Sequence, residues 1–171
     1  MKKTFLLFSL LMISLLAIAQ NPCPQVIPAL QEWKGTKGTL HLPIQGSIII
    51  NPSDETLLAS TAAILKNDLK ELMGWEYTII TGKAKKNSIF LSLSEPDEQL
   101  GKEGYELSII NKVSIQAPTA QGVFWGTRTL LQMLYRQEAK LAKGTTRDWP
   151  EFPNRGFMLD VGRKFFTRSE E

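Results

Sequence analysis

The sequence is poor in the two side chains that most often build metal and catalytic centres, because it contains one cysteine and one histidine. Cys23 has no second cysteine for an internal disulfide, so stability must come from a hydrophobic core. No Ser/His/Asp set can be assembled around His41, no metal-ligand spacing exists, and no glycine-rich phosphate loop follows a predicted strand. We therefore expect no metal and no cofactor, and interpret His41 as a surface or packing residue.

The chain begins with a leader-like stretch. Lys2 and Lys3 precede an apolar run over residues 5–18, and Ala17-Ile18-Ala19 forms an A-x-A cleavage site. This pattern predicts a secretory signal peptide over residues 1–19, with export to the periplasm or the extracellular space. The apolar run is short for a membrane span, and the polar, proline-rich sequence after it disfavours a permanent anchor. We therefore expect no stable membrane span after cleavage.

An excess of charge of one sign is also absent once the leader is set aside. The full chain carries 20 basic and 17 acidic residues, and two of the lysines lie in the leader. The remaining balance is 18 − 17 = +1, which argues against a dedicated nucleic-acid surface and predicts no nucleic-acid partner. The cluster of Lys83, Lys85 and Lys86 is interpreted as a solvated turn.

Hydrophobic periodicity predicts strands and a helix in the first half of the remaining chain. Strands are predicted at 44–50, 75–80 and 88–93, and segment 24–43 is predicted to be extended with room for one short strand. Residues 51–55 supply a cap candidate, a proline and early acids, which predict a helix start, and Gly74 ends the helix. The apolar stripe of this helix comprises Leu58, Ala62, Leu65, Leu69 and Leu72.

The second half predicts a hairpin followed by another helix. Alternating residues at 105–109 and 113–117, across a short polar step, predict two paired strands. Thr119 is the predicted N-cap of the helix. Its predicted inward face comprises Val123, Thr127, Leu130 and Leu134 and is widened by Phe124 and Leu131. Gly122 and Gly126 lower helix propensity, so we expect them to allow close approach to the sheet.

Together these elements predict an α+β fold, a small sandwich of a mainly antiparallel sheet with two helices on one face. Residues 140–146 are predicted to be a polar connector. Residues 149–153 are predicted to form the junction with the next domain. The predicted domain bounds are therefore 20–146 and 147–171.

The stretch from Asn154 to Phe166 has the pattern of a buried strand with a charge at each end. An apolar run separates Arg155 from Asp160, with prolines upstream and Gly162 downstream. Buried strands of this kind usually belong to parallel sheets or barrels. The two charges are either partners in structural ion pairs or parts of a site.

The sequence of this stretch resembles the opening of the catalytic domain of family 20 glycoside hydrolases, the β-N-acetylhexosaminidases. The family pattern is Arg-Gly-x-Met/Leu-Leu-Asp-x-Ser/Gly-Arg-His/Lys-Phe/Tyr-Phe, and Gly162 and Lys164 replace the commoner serine and histidine. Residues 104–132 also resemble the small domain that precedes the barrel in these and several other glycosidase families. The resemblance implies that residues 147–171 begin a (β/α)8 barrel that is truncated here.

The resemblance also implies substrate-assisted, retaining hydrolysis of terminal N-acetylhexosamine residues from a glycan. The family's catalytic Asp-Glu pair lies in a His-x-Gly-Gly-Asp-Glu setting that this sequence does not contain, so no residue of this chain is assigned as catalytic. Asp54-Glu55 and Glu170-Glu171 are interpreted as a helix start and the chain end. Arg155 matches the family arginine that binds hydroxyls of the terminal sugar, with Asp160 and Arg163 as alternatives.

Two hypotheses follow for the whole chain. The first is the N-terminal part of an exported β-N-acetylhexosaminidase, inactive alone because a barrel needs about 250 residues. The alternative is a non-catalytic accessory or carbohydrate-associated interaction module. The oligomeric state stays open in both.

Overall fold

The computed structural model describes residues 20–136, 139–152 and 154–156. These residues form a seven-stranded sheet with two helices that pack against it and against each other. The strands are β1 (Lys34–His41), β2 (Gln45–Ile50), β3 (Glu76–Thr81), β4 (Ile89–Leu93), β5 (Tyr105–Ile109), β6 (Val113–Ala117) and β7 (Lys140–Asp148). The helices are α1 (Glu55–Met73) and α2 (Ala120–Arg136). In the described part of the chain, no helix is long and apolar enough to span a bilayer.

The sheet is mixed, so the prediction of a mainly antiparallel sheet is wrong. Its strand order is β1-β7-β5-β6-β4-β2-β3. The pairs β2–β3, β2–β4 and β4–β6 are parallel, whereas β5–β6, β5–β7 and β1–β7 are antiparallel. The reason is that α1 is a crossover helix, which returns the chain to the end of the sheet from which β2 started. The α+β class and the placement of both helices on one face are confirmed.

Residues 140–146 belong to β7, so the prediction of a polar connector is also wrong. The strand pairs with both β1 and β5 and runs on to Asp148. Its buried positions are Leu141, Gly144 and Thr146, and only the first of these is a large apolar residue. Gly144 is buried because Trp33 lies where a Cβ atom would project. Because glycine and threonine fill core positions, the pattern of the strand reads as polar.

Helix α1 begins within the predicted start but has a shorter apolar stripe than predicted. Residues 52–54 form a 3₁₀ turn, and the α-helix begins at Glu55. Four stripe residues are fully buried, but Leu72 is 56% exposed, so its predicted burial is wrong. Gly74 ends the helix as predicted, with a φ of 69° that favours glycine. Its N–H donates to the carbonyl oxygen of Lys70 at 3.0 Å.

Helix α2 approaches the sheet closely at its two glycines, as predicted. The backbone N–H of Gly122 donates to the Thr119 hydroxyl at 3.1 Å, which confirms Thr119 as the N-cap. A Cβ atom on Gly126 would lie 2.5 Å from Cγ2 of Ile115 and 3.1 Å from the Tyr105 ring. The glycines therefore set the helix-to-sheet distance above β5 and β6.

Candidate functional site

Arg155, the residue that the sequence places in a sugar site, lies near the end of the described chain and is paired. Its Nη1 donates to the carbonyl oxygen of Phe152 at 2.9 Å, and its Nη2 donates to Oε2 of Glu103 at 2.5 Å. About half of the Arg155 side chain remains exposed. An exposed ion pair of this kind contributes at most about 1 kcal/mol, so the guanidinium can exchange partners at low cost.

Glu103 connects Arg155 to the start of helix α2. The Oε1 atom of Glu103 accepts a hydrogen bond from Nε2 of Gln121 at 2.8 Å, while Oε2 accepts from Arg155. The Thr119 hydroxyl also donates to the carbonyl oxygen of Lys102, at 2.5 Å. Hydrogen bonds through Glu103 therefore join Arg155 to the loop before β5 and to the first turn of α2. No sequence pattern predicted a role for Glu103, because it lies in a polar loop without periodicity.

The two alternatives to Arg155, which are Asp160 and Arg163, lie outside the described residues, as does the predicted barrel strand. The assignment of Arg155 to substrate binding therefore stays a prediction.

Of the two adjacent acid pairs interpreted above, Asp54-Glu55 lies at the start of α1, as interpreted, and its first member is buried. Burial alone would raise the pKa of the Asp54 carboxyl, but three hydrogen bonds outweigh it and hold that pKa below its usual value. The donors are the backbone N–H of Leu93 at 2.8 Å, Nδ2 of Asn51 at 2.9 Å and the hydroxyl of Ser53 at 2.8 Å. A carboxylate with these partners joins α1 to the end of β4 and is not free to transfer protons.

A second polar cluster, which no sequence pattern predicted, is formed around Tyr105 and Asp148. The Tyr105 hydroxyl donates to Oδ2 of Asp148 at 2.7 Å and lies 2.6 Å from the hydroxyl of Thr129. The other carboxylate oxygen of Asp148 accepts from the backbone N–H of Gln31 at 3.0 Å. Burial raises the pKa of Tyr105, and the neighbouring Asp148 carboxylate raises it further. The cluster therefore joins β5, β7, α2 and the N-terminal segment.

Two hollows of the described surface were compared with a sugar site, and neither has its features. The larger, of about 620 Å³, lies at the β3 edge beside Lys66, Lys70, Trp75 and Tyr77. Its two aromatic rings stack on each other and are almost fully buried, so they offer no face to a sugar ring. The smaller hollow, of about 270 Å³, includes Arg147, whose guanidinium already pairs with Asp97 and Glu106.

His41 and the lysine cluster, which were also singled out from the sequence, lie on the exposed surface. His41 is exposed on β1, with its Nε2 atom 3.4 Å from the Thr39 hydroxyl. The cluster of Lys83, Lys85 and Lys86 is exposed in the loop after β3, as predicted. Among the described residues, no group of three His, Cys, Asp or Glu side chains could hold a metal ion.

Comparisons with known proteins agree on one family. The family model for glycosyl hydrolase family 20, domain 2, matches residues 23–149. Lacto-N-biosidase from Bifidobacterium bifidum is 31% identical over 138 residues, which are 80% of this chain and 12% of that protein.

Solved structures of this family have the same fold. The GH20 β-N-acetylhexosaminidase from Streptomyces coelicolor superposes with a TM-score of 0.71 at 28% identity, over 87% of this chain and 31% of that chain. The GH20 exo β-N-acetylglucosaminidase from Vibrio harveyi, at 22% identity, superposes with a TM-score of 0.66 over 87% of this chain and 23% of that one. This chain thus spans a minor part of each relative. Since the family model covers well over half of its residues, the chain belongs to glycosyl hydrolase family 20.

Proposed function

We propose that this chain is the N-terminal part of an exported β-N-acetylhexosaminidase that removes terminal N-acetylhexosamine residues from glycans. The observation that carries the proposal is the family match over residues 23–149. It is supported by the superposed structure of a β-N-acetylhexosaminidase. The motif after Asn154 adds support, because its sequence resembles the opening of the catalytic barrel of this family.

The chemistry that we propose is substrate-assisted and retaining. The acetamido oxygen of the substrate attacks the anomeric carbon, so no enzyme carboxylate serves as the nucleophile. A glutamate must protonate the leaving oxygen and an aspartate must orient the acetamido group, because the oxocarbenium-like transition state needs both a proton and charge support. The sequence contains no pair of this kind in the family's setting, so residues 20–171 alone are expected to be inactive.

The proposal is tested by sequencing the DNA beyond codon 171 and assaying the products. We expect the frame to continue into a barrel with an Asp-Glu pair, and the long product to hydrolyse a chromogenic N-acetylglucosaminide. The matched control is the product of residues 20–171, for which we expect no turnover above a mock preparation. A stop codon directly after codon 171, or turnover by the short product in proportion to protein, would contradict the proposal.

Export is proposed from the leader, and it has its own test. Cleavage after Ala19 would make Gln20 the first residue of the mature protein. N-terminal sequencing of protein recovered outside the cytoplasm is expected to begin at Gln20. A first residue of Met1 would contradict cleavage.

Arg155 is the residue of this chain that we propose touches substrate in the complete enzyme. A guanidinium can donate two hydrogen bonds to neighbouring sugar hydroxyls, and a lysine cannot reproduce that fork. Each such charge-assisted bond is worth roughly 1.5–3 kcal/mol. Arg155→Lys is therefore expected to lower kcat/KM by about tenfold to a hundredfold or more, since 1.36 kcal/mol is a factor of ten.

The competing role for Arg155 is structural, because it pairs with Glu103. Measuring Tm and kcat/KM on the same Arg155→Lys preparation separates the two roles. The matched control is Glu103→Gln, which removes the charge of the partner and leaves Arg155 in place. A large fall in Tm with near-normal kinetics of the folded fraction would refute substrate binding by Arg155.

A further inference from the structure

The two edge strands of the sheet differ in how they are protected against pairing with another chain. Strand β1 shifts its register against β7 between Gly35 and Thr39, and it carries two lysines. Two of its carbonyl oxygens, those of Thr36 and Gly38, accept hydrogen bonds from the backbone N–H and the side-chain amide of Asn21. Register shifts, lysines and covering segments are means by which proteins keep an edge strand from recruiting a further strand. The β1 edge is therefore protected.

Strand β3, at the opposite edge, has none of these protections among the described residues. Its sequence, Glu-Tyr-Thr-Ile-Ile-Thr, contains no lysine and no proline, and it pairs with β2 in regular register along its whole length. In the part of the chain that the structure describes, no strand pairs with its other side. The hollow of about 620 Å³ also lies at this edge. An unprotected edge of this kind is a template for another strand.

The backbone of β3 directs hydrogen-bonding groups away from the sheet at alternate residues. The N–H groups of Glu76 and Gly82 donate to the carbonyl oxygens of Ile44 and Ile50, at 2.9 and 3.0 Å, so the even-numbered residues bond to the β2 side. Because successive residues of a strand direct their backbone groups to opposite sides, the odd-numbered residues face away from β2. These residues are Tyr77, Ile79 and Thr81.

We propose that β3 pairs with β3 of a second copy of this chain, antiparallel and about a two-fold axis that passes between the two copies of Ile79. Each Tyr77 then lies opposite Thr81 of the second copy, so all three outward-facing residues meet outward-facing residues. Each such pair exchanges two N–H···O bonds, so the interface contains about six. Two-fold pairing through one self-complementary patch is the commonest form of homo-oligomer. This pairing requires no catalytic chemistry and is independent of the proposed function.

The charges at the two ends of β3 favour a second copy in this orientation. Glu76 begins the strand and is exposed, and the exposed Lys83, Lys85 and Lys86 follow its end. In the proposed register Glu76 lies opposite Gly82 of the second copy, directly before that lysine cluster. Opposite charges across paired strands are stabilising, and like charges are destabilising. A parallel pairing of two copies would instead place the two lysine clusters side by side.

The side chains at the centre of the proposed interface are uncharged. Ile79 is 36% exposed, and its own copy would cover it. On the other face of the sheet, Thr78 of each copy lies opposite Ile80 of the second copy. No charged residue lies between Tyr77 and Thr81, so the pairing buries apolar surface without burying a charge.

The register is tested by disulfide formation in the full chain, residues 1–171, with Cys23→Ser so that each variant has one cysteine. In the proposed register the Cα atoms of the two copies of residue 79 lie about 5.5 Å apart, which a disulfide can bridge. The two copies of residue 81 are displaced by four residues, or about 13 Å, which it cannot. We expect Ile79→Cys to form a linked dimer on oxidation with a yield at least about tenfold above that of the matched control, Thr81→Cys. Equal yields, or no link from either position, would overturn the proposal.

Sedimentation equilibrium measures the same pairing without a covalent link. We expect the native chain to show a concentration-dependent equilibrium between monomer and dimer. Ile79→Lys places two like charges opposite each other, so we expect it to raise the dimer dissociation constant by about fivefold or more. Leu57→Lys, at a position on α1 that is 60% exposed, is the matched control and is expected to leave the constant unchanged. A monomer at every concentration, or a dimer that Ile79→Lys does not weaken, would refute the pairing through β3.

Discussion

Both halves of the sheet bury aliphatic side chains, but the antiparallel half adds contacts of other kinds. The parallel half, β3-β2-β4, packs on α1 through fully buried aliphatic side chains such as Ile48, Leu65 and Leu91. The antiparallel half, β1-β7-β5-β6, packs on α2 at a glycine and through a buried tyrosine that is hydrogen bonded to Thr129 and Asp148. Aliphatic packing depends mainly on volume, whereas close backbone approach and buried hydrogen bonds depend on exact shape and on partners. We therefore expect the two halves to fail under different substitutions.

The largest expected effect is the loss of a fully buried aliphatic side chain from the parallel half. Leu65→Ala leaves a cavity beneath α1 and is expected to lower the free energy of unfolding by about 2–5 kcal/mol. Urea denaturation followed by far-UV circular dichroism measures it. Lys66→Ala, at the next and exposed position, is the matched control and is expected to change stability by less than about 0.5 kcal/mol. Similar losses for the two variants would show that α1 does not depend on its buried stripe.

The antiparallel half is expected to lose stability when side-chain volume is added between α2 and the sheet. Gly126→Ala should favour the helix by about 1 kcal/mol on propensity alone. Its new methyl group, however, would lie 2.5 Å from Cγ2 of Ile115, so we expect a net loss of about 1–3 kcal/mol. Ala59→Gly, at an exposed position of α1, measures the propensity difference in the same protein. A net gain of stability in Gly126→Ala would contradict the close approach.

The sequence predicts the parts of the fold that local periodicity determines. The hairpin of β5 and β6, the Thr119 cap and the buried stripe of α1 from Leu58 to Leu69 follow from spacing alone. The pairing of β2 with β3 and β4 does not, because strand periodicity records neither the neighbour of a strand nor its direction, although the helix between β2 and β3 is long enough for a parallel crossover. Strand β7 was missed because Gly144 is a core position only in contact with Trp33, which lies far away in sequence.

The candidate site was predictable only in part, for a similar reason. The motif identified Arg155, but a motif does not reveal which side chain lies opposite it. Glu103 is 52 residues away along the chain and comes from a loop. Its contact with Arg155 depends on the packing of β5 and α2, which no local pattern records.

The smallest predicted effect concerns Asp54, a buried charged residue in the parallel half. Its carboxylate accepts hydrogen bonds from the N–H of Leu93 and from Asn51 and Ser53. The pKa of Asp54 is lowered in the folded state, so its ionised form stabilises the fold above the unfolded pKa of about 3.9, and this contribution is lost as pH falls through the folded pKa. Asp54→Asn turns one acceptor into a donor that faces other donors. We expect it to cost roughly 1–2 kcal/mol at neutral pH.

The pH dependence separates this charge effect from a simple packing defect. The difference in unfolding free energy between the native chain and Asp54→Asn is expected to be constant above about pH 5 and to shrink below about pH 4, as Asp54 becomes protonated. Urea denaturation at a series of pH values from 7 to 3 measures it. Glu55→Gln, at the exposed neighbour, is the matched control and should change stability by less than about 0.5 kcal/mol across the series. A difference for Asp54→Asn that stays constant down to pH 3 would mean that shape, and not the charge of the carboxylate, joins α1 to β4.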